Sequence, residues 1–354
     1  MPAKHGAIAI LGATGHTGRF VVGEIERRGM RAIRIGRNAR KLASLGAALH
    51  GGETRLARID DAASLDAAFA GADAVINCAG PFLDTALPVI DAALRAKIPY
   101  LDISAEQAIV RTVFETRNAA AREAGVPVLP AAAFFGGLAD LLASAAADGF
   151  ERLDGISVAV GLDSWRPTEG TRVTGKRNTA TRLVQSEGRL TAIASPAPAG
   201  RWKFPAPLGA RDVLMLPFSE TITLASHLPV DAIDAWINIE PIRDIRDPAT
   251  PAPQPADALG RSSQRFIMDV VAREGPRSLR ATASGVDIYH VSAPIVVEAA
   301  ERLVRGEAKG AAGVFALGAI FDARTFLSSL EGESFSVRFN KVSEPLLERE
   351  KTNA

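Results

Sequence analysis

Short apolar runs alternate with longer stretches of helical periodicity along the first 130 residues. Runs 7–11, 31–35, 55–59, 74–78, 99–103 and 126–129 read as strands. The stretches 17–28, 39–49, 63–70, 85–96 and 106–124 between them read as helices. Gly29, Gly71 and Gly125 stand where helix C-caps belong, and Asp84 precedes a first turn that tolerates Pro88. Strand–helix–strand repetition with right-handed crossovers predicts a parallel, doubly wound α/β sheet of Rossmann type.

Beyond Gly136-Gly137 the texture changes. One more helix, 138–147, leads into longer strands at 155–162, 190–194, 221–226, 235–239 and 279–289, with a helical stretch at 170–186. Four prolines between Asp247 and Leu259 mark a surface loop or linker. A helix over 294–305 and an apolar run to Phe321 end the fold, and the charged tail past Ser343 reads as frayed. The middle of the chain is therefore expected to be a second, mixed or mostly antiparallel α+β domain.

Composition works mainly by exclusion. At 354 residues, 47% hydrophobic and 23% charged, the chain has room for about two ordinary globular domains. A formal net charge of +1 gives no pull toward nucleic acid or an anionic membrane. The lone cysteine, Cys78, excludes an intrachain disulfide and a cysteine-cluster metal site, and fits a reducing compartment. The five histidines lack zinc-motif spacing, so no metal is expected. The N-terminal apolar run is too short for a signal-peptide core, and no run reaches the ~20 residues of a membrane span. These features predict a soluble, cytoplasmic protein.

The sharpest motif is Gly12-Ala13-Thr14-Gly15-His16-Thr17-Gly18, directly after the first strand and opening the first helix. Glycine is needed there for backbone to approach a pyrophosphate closely, and the helix start offers free N–H groups and a positive dipole end. Gly12, Thr14, Gly15, His16, Thr17 and Gly18 are thus expected to bind a dinucleotide; the alternative is a glycine-rich turn without a ligand. A site for NAD usually ends its second strand on an acid. Here that strand runs into Gly36-Arg37-Asn38-Ala39-Arg40-Lys41, with no acid nearby. Arg37, Asn38 and Lys41 suit a 2′-phosphate, which favours NADP(H). A solvated basic helix start is the plainer reading of the same residues.

With further blocks, these residues resemble the saccharopine dehydrogenase-like oxidoreductases over nearly the whole chain. The blocks are Val75 to Phe82, Pro99 to Glu106, Pro130 to Leu142 and Ser292 to Glu298. The resemblance implies an NADP-binding Rossmann domain at 1–135 and a mixed-sheet domain for substrate or dimerisation at 136–290. A helical segment at 291–354 would pack back on the Rossmann domain. The chain departs from the family pattern at Ala105, where glycine is usual, and at Phe134-Phe135-Gly136-Gly137, where Asp-x-x-Pro is common. Both lie near the expected nicotinamide end, so the resemblance names no substrate.

Asn77 to Phe82 follows the fourth strand, where Ala79, Gly80 and Pro81 can let backbone graze the ribose or nicotinamide. Asp60 would sit beside the adenine, or cap a helix with Asp61. Neither tyrosine, Tyr100 or Tyr289, has a lysine four residues on, so the short-chain-dehydrogenase Tyr–Lys couple is missing. An imine or conjugated C=C acceptor fits such a site. Tyr100 and Asp102, with Glu106 beyond, are then the proton-transfer candidates, unless they only pack and cap. Cys78 reads as a buried strand residue, His227 and His290 as packed or hydrogen-bonded. Arg172 and Lys176, on one helix face, would grip an anionic substrate or face solvent. The reading is an NADP(H)-dependent oxidoreductase acting on a small or medium organic substrate. A non-catalytic NADP(H)-binding regulator and an interaction protein, dimeric through the second domain, are its rivals.

Overall fold

The computed structural model describes residues 6–48, 52–342 and 345–349. They fall into two compact units, one within Met1–Phe134 and Tyr289–Phe321, the other within Phe135–Ile288 and Asp322–Ala354.

The first unit opens with β1 (Ala7–Leu11), α1 (His16–Arg27), β2 (Arg31–Gly36), α2 (Ala39–Ala48), β3 (Thr54–Leu56) and α3 (Ala62–Phe69). It continues through β4 (Ala74–Asn77), α4 (Phe82–Ala96), β5 (Tyr100–Asp102), α5 (Gln107–Ala124) and β6 (Pro127–Leu129). The second unit then takes α6 (Ala139–Ala147), β7 (Leu153–Leu162), α7 (Glu169–Arg177), β8 (Leu183–Ser186), β9 (Arg189–Ala192), β10 (Ala199–Lys203) and β11 (Ala210–Met215). After these come α8 (Glu220–Ala225), β12 (Val230–Asn238), α9 (Ile239–Arg246), β13 (Arg265–Glu274) and β14 (Arg277–Val286). The chain returns with α10 (Ile288–Arg305), β15 (Gly313–Val314) and α11 (Leu317–Ile320), and closes with α12 (Ala323–Leu330), β16 (Phe335–Lys341) and β17 (Leu347–Arg349).

The first sheet is parallel throughout, ordered β15-β6-β5-β4-β1-β2-β3. Its central strands are apolar on both faces, with Ile8, Ile10, Ile33, Ile35 and Ile76 fully buried, as helices covering both faces require. The strand order reverses direction at the β1/β4 boundary. There Leu11 is level with Ile35 on one side and with Asn77 on the other. Three carboxyl ends, each followed by a singled-out motif, thus lie side by side. The helix expected to pack back does so: Arg28, at the C-cap of α1, donates to Glu298 and Glu301 of α10.

The second sheet has ten strands and is mixed, with β7 and β12 parallel inside an otherwise antiparallel array. Several expectations are corrected here. The β-branched run at 221–226 is the helix α8, buried almost throughout from Glu220 to Leu224; tertiary packing overrides strand propensity. The helix expected over 170–186 stops at Arg177, and Leu183–Ser186 forms β8, paired with β9 through Glu187-Gly188. Both turn residues have φ > 0 (50° and 71°), the geometry that twists with a two-residue hairpin. The strand expected over 279–289 ends at Val286, and Tyr289 lies in α10, which carries Pro294 inside it rather than starting there. The C-terminal stretch from 291 divides between the units. Its β16 pairs with β14, and β17, on the tail expected to fray, pairs with β10. Leu49 and the rest of that tail lie outside the described residues. No helix among the described residues is long and apolar enough to cross a membrane.

Candidate cofactor site

The turn after β1 is held by its neighbours on both sides. The amides of Gly12 and Ala13 donate to the Ile35 carbonyl (3.0 and 3.2 Å), and the Cys78 amide donates to that of Leu11 (2.8 Å). Gly12 has φ +81°, and a Cβ there would lie 2.8 Å from the Ala79 nitrogen, so side-chain-free backbone is required. At Gly18 a Cβ would come within 2.2 Å of the Gly12 carbonyl oxygen. Gly15 differs. Its φ is −70°, it is exposed, and a Cβ would only graze the Gly12 oxygen at 3.2 Å. Two glycines therefore shape the loop, and the third keeps its outer surface open.

Gly15 is the N-cap of α1 but offers no side-chain cap, and the first turn holds no acid. The helix start thus presents N–H groups and positive dipole to the space beyond the turn, the arrangement that receives a phosphate. Thr14 and Thr17 are half-buried beside it, and the Thr14 carbonyl accepts from Arg19 (3.3 Å). His16 is packed edge-on against Phe20 and Tyr289, with ring centroids 5.2 and 5.4 Å away, while Phe20 meets His290 at 5.1 Å. Tyr289 and His290, distant in sequence, are thereby brought to the start of α1. No local pattern around either residue signals that placement.

Arg37 and Lys41 are exposed where β2 ends, and the Asn38 side chain accepts from the Lys41 amide (3.0 Å), capping α2. Asp60 does not join them. It faces solvent in an ion pair with Arg58 (2.7 Å), and Asp61 alone caps α3, accepting from Ser64 (3.1 Å). On the other flank Ala79, Gly80 and Pro81 form the β4–α4 turn. Asn77 Oδ1 accepts from the Ala79 amide (3.0 Å), and α4 begins at Phe82, earlier than expected, with Pro81 as N-cap and Pro88 in its interior. The residues present therefore fit a dinucleotide phosphate: close-approach glycines, an uncapped helix start, and cations where a 2′-phosphate would need them.

Tyr100 and Asp102 are drawn inward. Both are buried, and the Tyr100 hydroxyl donates to Asp102 Oδ2 at 2.8 Å. Asp102 Oδ1 accepts from the Ser104 amide (2.9 Å), the Ser104 hydroxyl (2.7 Å) and the Ala131 amide (2.7 Å). The Asp102 backbone carbonyl accepts from Ala132 (2.7 Å), so the residue clamps the turn after β6, where Ala131 adopts φ +54°. Every donor to the Asp102 carboxyl in this network is internal. Cys78, expected as a buried strand residue, lies just past the end of β4 and is half-buried; desolvation and the nearby Asp102 raise its thiol's pKa, which keeps it protonated.

Glu106 is the acid in this region with titration near neutrality. It is 2% exposed, and its Oε1 accepts from the Phe82 amide at the start of α4 (3.1 Å). Burial pushes its pKa up to about 7, with repulsion from Asp102 adding and the Phe82 hydrogen bond opposing. A raised carboxyl pKa means the folded state holds the proton longer. The associated stability is complete below the ordinary value near 4.5 and is lost as pH rises toward 7. Glu106→Gln is therefore expected to gain on the wild type by about 3 kcal/mol between pH 4 and pH 8, read from chemical unfolding at both. Parallel pH dependence in the two proteins would show that Glu106 is not buried as described.

In the second unit the anticipated anion grip is not assembled. Arg172 donates to the carbonyls of Asp247 (3.2 Å) and Thr250 (2.7 Å), holding the proline-rich segment, while Lys176 is exposed. His227 is hydrogen-bonded, as expected, to the buried Asp140 (2.7 Å), which raises its pKa against the effect of burial.

Residues 8–129 match the family described as saccharopine dehydrogenase NADP binding domain. That match supports NADP(H) as the cofactor, the one expected from Arg37 and its neighbours. No curated protein matches the chain. Among solved structures, apo histidine-tagged saccharopine dehydrogenase (L-Glu forming) from Saccharomyces cerevisiae superposes with TM-score 0.67 at 11% identity, covering 95% of this chain and 100% of that one. Diaminopimelate (DAP) dehydrogenase of C. glutamicum in complex with DAP superposes with TM-score 0.51 at 13% identity, covering 93% and 97%. At these identities the likeness is one of fold. The parallel-sheet domain and the mixed-sheet unit expected from the sequence match the fold of the yeast structure.

Proposed function

We propose that the protein is an NADP(H)-dependent oxidoreductase that moves a hydride to or from a small or medium organic substrate, with an imine or a conjugated C=C as the reacting bond. The observation that carries this reading is the glycine loop with its uncapped helix start, set level with Arg37 on one side and the β4–α4 turn on the other. NADP(H), when bound, supplies or accepts the hydride. Gly12 to Gly18 hold the pyrophosphate, Arg37 and Lys41 the 2′-phosphate, and Ala79 to Pro81 flank the sugar. The fold shared with two dehydrogenases agrees with this reading.

Glu106 is the group best suited to proton transfer, because its carboxyl titrates near neutrality whereas Tyr100 and Asp102 donate and accept only internally. That internal closure also favours a second reading, an NADP(H)-binding regulator without turnover. NADPH consumption against imines and enoyl compounds separates the two. Cofactor choice is tested directly: NADPH should bind more tightly than NADH by roughly tenfold to a hundredfold, the worth of a charge-assisted pair, and Arg37→Asp should erase the difference. Equal affinities in calorimetric titrations of the wild type would refute the assignment of Arg37.

A further inference from the structure

The second unit holds a group of polar atoms that its own fold leaves unused. The Arg182 guanidinium lies over the Phe218 ring, 4.7 Å from its centroid, and donates through Nη1 to the Pro217 carbonyl (2.5 Å). No carboxylate of the described residues lies within ion-pair distance of Arg182, so Nε and Nη2 remain available as donors. Glu220, 3% exposed, accepts from the Phe218 amide through Oε1 (2.8 Å), while its Oε2 has no hydrogen-bond partner. Phe218 thus ties the cation and the acid together. Its ring also meets Phe135 at 4.2 Å and Trp165 at 6.2 Å, and Phe135 lies against Trp165 at 5.8 Å.

Folded proteins satisfy almost all buried polar atoms, and they pair a cation withdrawn from water. A half-buried guanidinium that Glu220 attracts from beyond ion-pair distance, a buried carboxyl oxygen without a donor and three clustered rings together describe a preformed binding wall. We propose that Arg182, Glu220 and the rings of Phe135, Trp165 and Phe218 form a recognition site for a small organic carboxylate with a flat apolar body. The ligand carboxylate takes the two remaining edges of the guanidinium fork, a geometry that lysine cannot reproduce. The rings cover the apolar body, and Glu220 Oε2 receives a hydroxyl or amino hydrogen where the ligand carries one. Burial raises the Glu220 carboxyl to about 7, so at neutral pH it both donates and accepts. The inference rests on the oxidoreductase reading only in calling this ligand a substrate; binding itself needs no cofactor.

Trp165 supplies the readout, since Trp202 and Trp236 belong to a separate core cluster. The full-length protein without cofactor is titrated with 3-phenylpropanoate and with its neutral amide, following tryptophan fluorescence. The carboxylate should give a saturable change that Trp165→Phe abolishes, and the amide should bind at least about tenfold more weakly. Arg182→Met should weaken the carboxylate by the same factor or more, and Arg182→Lys, which keeps the charge and loses the fork, by less. NADPH affinity, measured on each variant, should stay at the wild-type value. That control separates failure of this site from failure of the cofactor assignment, and near-ultraviolet circular dichroism of the same samples certifies a folded second unit. Equal binding of carboxylate and amide, no saturable binding in the millimolar range, or undiminished binding by a variant that still takes NADPH would each overturn the proposal.

Discussion

Gly18→Val should remove NADPH binding and destabilise the first domain together. Even a bare Cβ at this position lies 2.2 Å from the Gly12 carbonyl oxygen and 3.1 Å from the Ala13 Cα, both backbone atoms with no rotamer to turn away. The loop and α1 must part, and Gly12 is itself pinned to the Ile35 carbonyl and against Ala79. Overpacking of this kind costs about 3 kcal/mol, which lowers a melting temperature by on the order of 10 °C in a domain of this size. Displacement of the α1 start takes its N–H groups out of register with the phosphates. Differential scanning calorimetry and an NADPH titration on the same sample test both halves, and a variant with wild-type melting would show that the loop is looser than described.

The second large effect is expected at Asp102. Its carboxylate takes four donors in a site 1% exposed, and its backbone carbonyl takes a fifth. Asp102→Ala removes both acceptor oxygens and leaves those four donors facing a methyl group. Leaving buried donors unmatched costs about 1–3 kcal/mol each, and the turn at Ala131 loses the bond that offsets its left-handed backbone. A loss of about 3 kcal/mol in unfolding free energy is expected. Turnover by the folded fraction, once a substrate is in hand, should stay within a few-fold. A fall of roughly 10²–10⁴ in turnover with unchanged stability would restore Asp102 to the role of acid or base.

The contrast between Asp102 and the glycine loop shows where a sequence is legible. Gly12, Gly15 and Gly18 work through backbone geometry that is local in sequence, and the strand before and the helix after them are both read from periodicity. The carboxyl ends of β1, β2 and β4 follow from the doubly wound order. Whether an acid on β5 points at a ligand or into the sheet depends on Ser104 and Ala131 as well as on Tyr100, two residues back on the same face, and spacing alone does not reveal it. Asp60 shows the same limit at the surface, where Arg58 two residues away claims it. In the second unit the helix α8 was hidden by Thr221-Ile222-Thr223, a β-branched run whose helical state rests on burial among α6, β8 and β12. The β8–β9 hairpin was readable in principle from Glu187-Gly188. The cluster at Arg182, Phe218 and Glu220 joins residues from separate elements and had no sequence signal at all.

The most direct test of the cofactor site is a calorimetric titration of NADPH into the wild type and into Gly15→Val. Gly15 is exposed, has φ −70° and leaves its Cβ direction open apart from one 3.2 Å approach to the Gly12 oxygen, so valine there is compatible with the fold. Its branches would stand where pyrophosphate meets the α1 N–H groups. The expected result is saturable NADPH binding by the wild type and none by the variant, at closely similar melting temperatures. An unchanged dissociation constant in a folded Gly15→Val protein would contradict the placement of the cofactor on this loop.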